Sequence, residues 1–331
     1  LNIYMEQSAV RDGVTAEEVK GILLGMASGQ ETLLGYFRRF IRNFEKRVGI
    51  NRTVGSLRAY SNAYSHIERF LQAQYKLSDI PFSALDRSFI DKYDLYLRTE
   101  RNLAPGTIIN LTVQLKTIVG EAIADGVITA SPFMGYEPVR PKHVQKYLTA
   151  EELHRIMTTP LHRQTLYHVR DMFLFSCFTG IPYGDMRLLT KDNLCLAEDG
   201  IWWIKSARQK TKIEFEIPLL DLPLQILKKY SGTAPGDKLL PMYCNSTLNL
   251  YLKEIARICH IDRPLVFHAG RHTYATEITL SHGVPLETVS RMLGHSQIET
   301  TQIYAKVTDE KIDTDTKALN RKISERFSVV I

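Results

Sequence analysis

No apolar run in this 331-residue chain reaches the roughly 18 residues that a membrane-spanning helix needs. The opening residues lack the basic-then-apolar pattern of a secretory signal. Cysteine is scarce: Cys177, Cys195, Cys244 and Cys259 are the four, and none stands at CxxC spacing. That points away from a disulfide framework or a zinc site and toward reduced thiols in a cytoplasmic protein. Internal repeats and low-complexity tracts are missing too. Neither sign of charge dominates, since 42 Lys and Arg face 36 Asp and Glu for a formal net charge of +6. This small excess leans toward a polyanionic partner without demonstrating one. What remains is ordinary globular material, 44% hydrophobic and 24% charged, in a chain long enough for two domains with a core each.

Residues 1–30 read as a connector with one short helix. The chain begins at Leu1 rather than Met, so the expectation is a fragment missing an N-terminal domain. From Thr32, the residues Leu33, Leu34, Phe37, Phe40, Ile41, Phe44 and Val48 recur at helical spacing, with Arg38, Arg39, Arg42 and Lys46 on the other face. A second helix is predicted from Val54 to Lys76, and a third around Ile90, Tyr93 and Leu97. A fourth should run from Pro105, a favoured first helical residue, to about Gly126. Four helices without a strand make residues 31–131 a small helical domain. Pro132, Pro138 and Pro141 then forbid one continuous helix, and Arg140, Lys142, His143 and Lys146 meet few acids. Residues 132–148 therefore read as an extended basic linker.

Thr149, with Glu152 three residues on, is a capping box that opens a second domain over 149–331. It is mostly helical with one hairpin. A β-rich run from Ile201 to Lys205 follows a DG turn. In a second run Ile213, Phe215 and Ile217 alternate with Glu214 and Glu216. Between them lies a cationic loop holding Arg208, Lys210 and Lys212. The fold class is thus mainly α with a small β-hairpin or sheet, in two domains. Near the end of the chain "RMLGHSQIETTQIYAKV" places His295 after a helix that Gly294 terminates. Ser296 and Glu299 should form another capping box, which would put Tyr304 about two turns into the next helix.

Upstream, "FHAGRHTYATEITL" places His268 and Arg271 three apart, on one helical face. His268, Arg271, His295 and Tyr304 together make an anion-binding set beside a phenol. Arginine offers a fork for phosphate oxygens, histidine can donate to them or handle protons, and a tyrosine oxygen can attack phosphorus. Lys210 can protonate a leaving alkoxide if neighbouring cations lower its pKa. The chemistry is transesterification at a phosphodiester, with no metal or nucleotide cofactor.

"HAGRHTYAT", "MLGHSQIETTQIYAKV" and the Lys210 hairpin resemble the tyrosine recombinase (phage integrase) family, in the form found in integrases of bacterial conjugative transposons. The resemblance covers nearly the whole chain. It implies a two-domain C-clamp, with residues 31–131 as a core-binding domain and 149–331 as a catalytic domain of the DNA breaking-rejoining type. Tyr304 would form a 3′-phosphotyrosyl link and free a 5′-hydroxyl, and Lys210 would be the general acid for that hydroxyl. His268, Arg271 and His295 would hold the scissile phosphate, with Asp185 supporting the site from behind. The partners implied are double-stranded DNA carrying recombination sites, three further copies of the chain in a tetramer exchanging strands through a Holliday junction, a host DNA-bending factor and an excision factor. The implied setting is a mobile element in a bacterial cytoplasm, at the nucleoid. The linker cations Arg140, Lys142 and Lys146, and Lys212 in the hairpin loop, would touch DNA, because a chain encircling a duplex passes near phosphates. The apolar tail "RFSVVI" is expected to dock on a neighbouring copy.

The pattern departs at one point. The family's first arginine lies in a stretch like "TGLR", and here the stretch is "FTGIPYGDM", with Pro182 at the matching position. Proline cannot hold phosphate through its side chain. Arg208, two residues before Lys210, is the preferred substitute, and Arg187 is the other candidate.

Taken singly, each feature has a plainer reading. A lone tyrosine on a helix is usually core or surface, paired histidines are usually capping or core residues, and His272 is assigned there. Arg38, Arg39 and Arg42 read as a solvated helix face. Two rival functions follow from the same residues. "PLETVSRMLGHSQIETTQIY" also reads as a helix-turn-helix of a non-catalytic regulator, although that leaves His268, Arg271 and Lys210 without a role. A type IB topoisomerase would share the nucleophile and relax supercoils without site preference.

Overall fold

The computed structural model describes residues 30–140 and 146–305, with position 20 and scattered positions between 313 and 323. The N-terminal connector, Lys142 and the apolar tail lie outside the described residues. The chain divides into two compact units, one up to residue 143 and one from residue 144.

Among the described residues the first unit is a bundle of four α-helices: α1 (Leu33–Glu45), α2 (Val54–Phe70), α3 (Arg87–Thr99) and α4 (Pro105–Ala124). Their apolar stripes meet in one core in which Phe37, Ile67, Phe70, Ile90, Tyr93, Leu97 and Leu115 are sealed from solvent. Each helix start leaves backbone N–H groups without intrahelical partners. Thr53 accepts from Ser56 N and Asp86 from Phe89 N, as short polar caps do. For α1 the cap comes from far along the chain. Thr32 makes no side-chain bond there, and the Asp79 carboxylate accepts from Leu34 N at 2.8 Å and Gly35 N at 3.0 Å. The predicted second helix does reach Lys76, but its last turn widens to a π-turn over Leu71–Tyr75 and stops where Lys76 turns left-handed, at φ 55°. Arg38 donates to Tyr64 Oη, Arg39 pairs with Glu31, and Arg42 is exposed, which is the solvated face expected of them.

Part of the expected linker is not extended chain. Phe133 is buried in the first core, and Tyr136 Oη donates to Asp94 at 2.7 Å. At the far end Leu148 is fully buried in the second core, and its N–H donates to Thr273 Oγ1 at 3.0 Å. Apolar side chains at 133, 136 and 148 give this proline-rich segment surfaces to pack with, and composition alone does not register that.

The second unit opens with α5 (Ala150–Thr158), capped by the Thr149–Glu152 box as predicted. At its centre is α6 (Gln164–Thr179), buried along Val169, Met172, Phe173, Phe175 and Cys177 and packed by three later helices. These are α8 (Asp221–Lys229), α9 (Asn245–Ile258) and α10 (Ala269–Thr273), and the four-residue α7 (Tyr183–Met186) sits between α6 and the sheet in sequence. The hairpin is β2 (Trp202–Ala207) with β3 (Glu214–Pro218), in a register that pairs Ile204 with Ile217 and Ser206 with Phe215. Phe215 and Ile217 face the core while Glu214 and Glu216 face solvent, which is the expected alternation. A third strand, β1 (Leu194–Leu196), joins β2 across the Asp199–Gly200 turn, so the hairpin is part of an antiparallel sheet β1-β2-β3. With only three residues, β1 is too short to show a period. All four cysteines are free thiols.

Candidate active site

The last helices set the site. After α10 the chain passes through a π-turn and a 3₁₀ turn to Gly283, and then into α11 (Leu286–Leu293). Gly294 ends α11 with φ +64°, and a side chain there would strike the Arg208 stem, with Cγ 2.8 Å from an ideal Cβ. Glycine is therefore required twice over, for the left-handed turn and for the arginine lying against it. His295 follows, its N–H donating to Ser290 O at 3.1 Å.

The expected capping box after His295 does not form. Ser296 makes no cap, and α12 is a single turn, Glu299–Gln302, that begins after Ile298. Instead His295 Nδ1 lies 2.7 Å from the hydroxyl of Thr301, a residue with no solvent exposure. The imidazole thus takes over the task of fastening the turn. Tyr304 comes just past α12, not two turns into a helix, with its N–H donating to Thr301 O. A helix of four residues spans only about 6 Å, which is too short to lie along a major groove. The helix-turn-helix reading loses its second helix.

A cavity of about 760 Å³ in the second unit is lined by Tyr304, His268, Arg271, His295, Lys210 and Arg208. Lys146, Arg263 and His272 are also on its wall. Tyr304 is 6% exposed and packs with Tyr274, Val289 and Leu293. Its ring lies parallel to that of His295 at 6.3 Å and meets His272 edge-on at 5.1 Å.

Arg271 is 3% exposed and is held by the protein through three of its N–H groups. Nη1 donates to Gly180 O at 2.9 Å, and Nη2 donates to Leu293 O at 2.7 Å and meets His295 Nε2 at 2.8 Å. A guanidinium has five N–H donors, and beyond these three contacts a side-chain hydrogen bond to the Tyr304 oxygen also acts on the group. Burial lowers the Arg271 pKa to about 10, helped by Arg208 and opposed by Tyr304 and Asp185. It stays a cation at neutral pH. Gly180, at φ +70°, has no room for a Cβ against the Tyr274 ring, which lets this turn bring its carbonyl to Arg271.

The three histidines are held neutral. Burial first, then Arg271 and Arg208, pushes His295 down to about 4. Burial, then His268, Lys146 and Arg271, pushes His272 down to about 4 as well. His268 is open to solvent at the cavity mouth, yet its pKa is also lowered, by the desolvating walls, Arg271, Arg208 and Lys146 in that order. A water-poor pocket lined with cations disfavours each further positive charge.

Pro182 caps α7 and offers the cavity no donor. Three residues on, the buried Asp185 accepts from Gln209 N at 2.9 Å and faces Arg208 Nε at 3.1 Å across Oδ2. That second contact is an ion pair rather than an aligned hydrogen bond, since Asp185 Oδ2 and Arg208 Nη1 both have no hydrogen-bond partner among the described residues. The turn that carries the proline therefore also draws Arg208 inward. Arg187 is exposed and is not on the cavity wall.

Among the candidate DNA contacts, Lys146 is on the cavity wall, Arg140 and Lys212 are exposed elsewhere, and Lys142 is not described. Arg263 fixes the chain beside Lys146, donating to Tyr147 O at 2.7 Å and pairing with Glu152 at 2.5 Å. His272, Arg263 and Thr301 are the residues that spacing did not single out for the site. Only His272 had a visible signal, its place beside Arg271, and it was assigned to packing.

The pattern of the phage integrase family matches residues 146–311, and that of the phage integrase SAM-like domain matches residues 32–138. Tyrosine recombinase XerD of Listeria monocytogenes is 25% identical over 273 residues, covering 77% of this chain and 89% of its own. The fold is shared with the Tn1549 transposon integrase in complex with transposon right end DNA, at a TM-score of 0.67 and 18% identity over 87% of this chain and 99% of that one. It is shared also with a lambda integrase tetramer bound to a Holliday junction, at a TM-score of 0.67 and 17% identity over 85% and 80% of the two chains.

Proposed function

The chain belongs to the phage integrase family, and on that premise we propose that it is a tyrosine site-specific recombinase that cuts and rejoins DNA through Tyr304. The observation that carries this reading is that Tyr304, His268, Arg271, His295, Lys210 and Arg208 line a single cavity. Tyr304 Oη attacks the scissile phosphorus. Its P–O bond forms as the bond to the 5′-oxygen breaks, and the phenol proton passes to a neutral imidazole, for which His268 at the cavity mouth has a free lone pair. Lys210 gives a proton to the departing 5′-oxygen. Arg271 binds the phosphate through guanidinium N–H groups that the Gly180 and Leu293 carbonyls and the His295 ring do not take. Arg208 supplies the charge absent at Pro182, and Asp185 holds it there. Religation runs the same steps backward with a different 5′-hydroxyl.

Double-stranded DNA is the substrate, with Lys146 touching it at the cavity wall and Arg140, Lys142 and Lys212 beyond the cavity. The active form is a homotetramer on a Holliday junction, a reading supported by the lambda integrase neighbour. A mobile element of the conjugative-transposon kind is the setting, supported by the Tn1549 likeness. A host DNA-bending factor and an excision factor would set the direction of the reaction, at the bacterial nucleoid. No helix among the described residues is long and apolar enough to cross a membrane.

The test uses nicked duplexes of randomised sequence, so the target need not be known. Nicking lets the freed 5′ fragment diffuse away and traps the covalent complex. The wild-type chain should give a detergent-resistant protein–DNA adduct and Tyr304→Phe none. An adduct of equal yield from Tyr304→Phe would refute the assignment.

A further inference from the structure

The contact between Arg271 Nη2 and His295 Nε2, at 2.8 Å, constrains where the imidazole proton can be. A guanidinium has donors and no acceptor, so Nε2 must present its lone pair. A neutral ring with a bare Nε2 carries its hydrogen on Nδ1. That hydrogen points at the Thr301 hydroxyl, 2.7 Å away, which must accept it. The alternative tautomer would set N–H against N–H on one side and lone pair against hydroxyl on the other. Thr301 is fully buried, so no water can replace its oxygen.

We propose that Thr301 is a positioning residue that locks His295 as the Nδ1–H tautomer, and through it fixes the Arg271 guanidinium for the phosphate. This rests on the recombinase reading for its catalytic consequence, but the tautomer itself does not. The chain Thr301–His295–Arg271 closes the open side of a guanidinium whose other anchors are the carbonyls of Gly180 and Leu293. Without the Thr301 oxygen the Nδ1–H is buried and unpaired. That penalty offsets the preference Arg271 imposes, so the share of Nε2–H rings, which oppose Arg271 as donors instead of accepting from it, rises. A partner behind an imidazole setting its tautomer is a familiar device where the other ring nitrogen must present a lone pair. The hydroxyl of Thr301 thus acts on the reacting phosphate without touching it.

Two variants and one spectrum test this. Thr301→Val keeps the shape and removes the oxygen, while Thr301→Ser keeps the oxygen. With histidine labelled in ¹⁵N, the full chain at neutral pH should show a protonated Nδ1 and a bare Nε2 for His295, assigned by loss of the signal in His295→Asn. Thr301→Val should shift that ring toward Nε2–H and slow formation of the covalent adduct by about 10-fold or more, with DNA affinity unchanged. Thr301→Ser should restore both the tautomer and the rate. A wild-type spectrum with Nε2–H overturns the proposal, and so does a Thr301→Ser variant as slow as Thr301→Val, which would make the role one of packing. The spectrum reads the tautomer whether or not the chain cuts DNA, so failure of the recombinase reading, seen as a wild type that forms no adduct, is a separate outcome.

Discussion

Pro182 has neither a side-chain donor nor a backbone N–H, yet it stands on the turn that touches Arg271 and Arg208, two of the arginines of the cavity. Gly180 O takes a hydrogen bond from Arg271, and Asp185 faces Arg208. A guanidinium reaching the cavity from the hairpin loop is a direct answer to a vacancy on that turn. Removing one preorganised cation from a developing oxyanion typically costs about 3–4 kcal/mol. Arg208→Ala should therefore slow adduct formation roughly 100-fold or more. Arg187→Ala should leave it unchanged. The reverse pattern, read from single-turnover rates, would assign the substitution to Arg187. The histidines make a second residue-scale prediction. His272 and His295 titrate near 4 in the fold and near 6.5 as free side chains. Their folded values are the lower ones, so the unfolded chain binds protons that the folded chain refuses. Stability should be constant above that window and fall as pH drops from about 6.5 toward 4. In urea unfolding, His272→Asn should lose less stability between pH 7 and 5 than the wild type does. An equal slope in both would contradict the assigned burial of that ring.

At the scale of elements, the turn from α11 to α12 carries the site. Gly294→Ala would force a left-handed residue with a Cβ, at roughly 1–2 kcal/mol, and would also push on the Arg208 stem. The expected result is a lower thermal midpoint together with slower cleavage. A loss of stability with full cleavage rate would show that Arg208 need not lie there. This turn also shows where sequence reading reaches its limit. The helices of the first unit, the Thr149 cap and the hairpin alternation were legible, because each follows from local periodicity or capping chemistry. The cap at Ser296 and Glu299 was misread because His295 competes for the same turn, through an oxygen at Thr301 that spacing does not mark. Asp79 capping α1 from a distance was hidden for the same reason, since nothing in the local sequence of α1 reveals a partner so far along the chain. The order of His268, Arg271, His295 and Tyr304 was visible, but their shared cavity needed tertiary structure.

For the whole molecule, both units match patterns of one family, and the chain covers 77% of its own length against a bacterial recombinase. Assembly is the property that no single chain displays. On a Holliday junction the complex should contain four copies, by light scattering or native mass. Deleting the residues from Phe327 onward should reduce the cooperativity of that assembly, while single-site DNA binding should persist. Unchanged cooperativity would remove the tail from the interface. The most direct measurement of the central claim is the identity of the residue joined to DNA. Adduct from nicked duplex is digested with protease and nuclease, and the nucleotide-bearing peptide is sequenced by mass spectrometry. The account predicts a nucleotide 3′-phosphate on Tyr304. A nucleotide found on any other side chain, or no linked peptide at all, would contradict it.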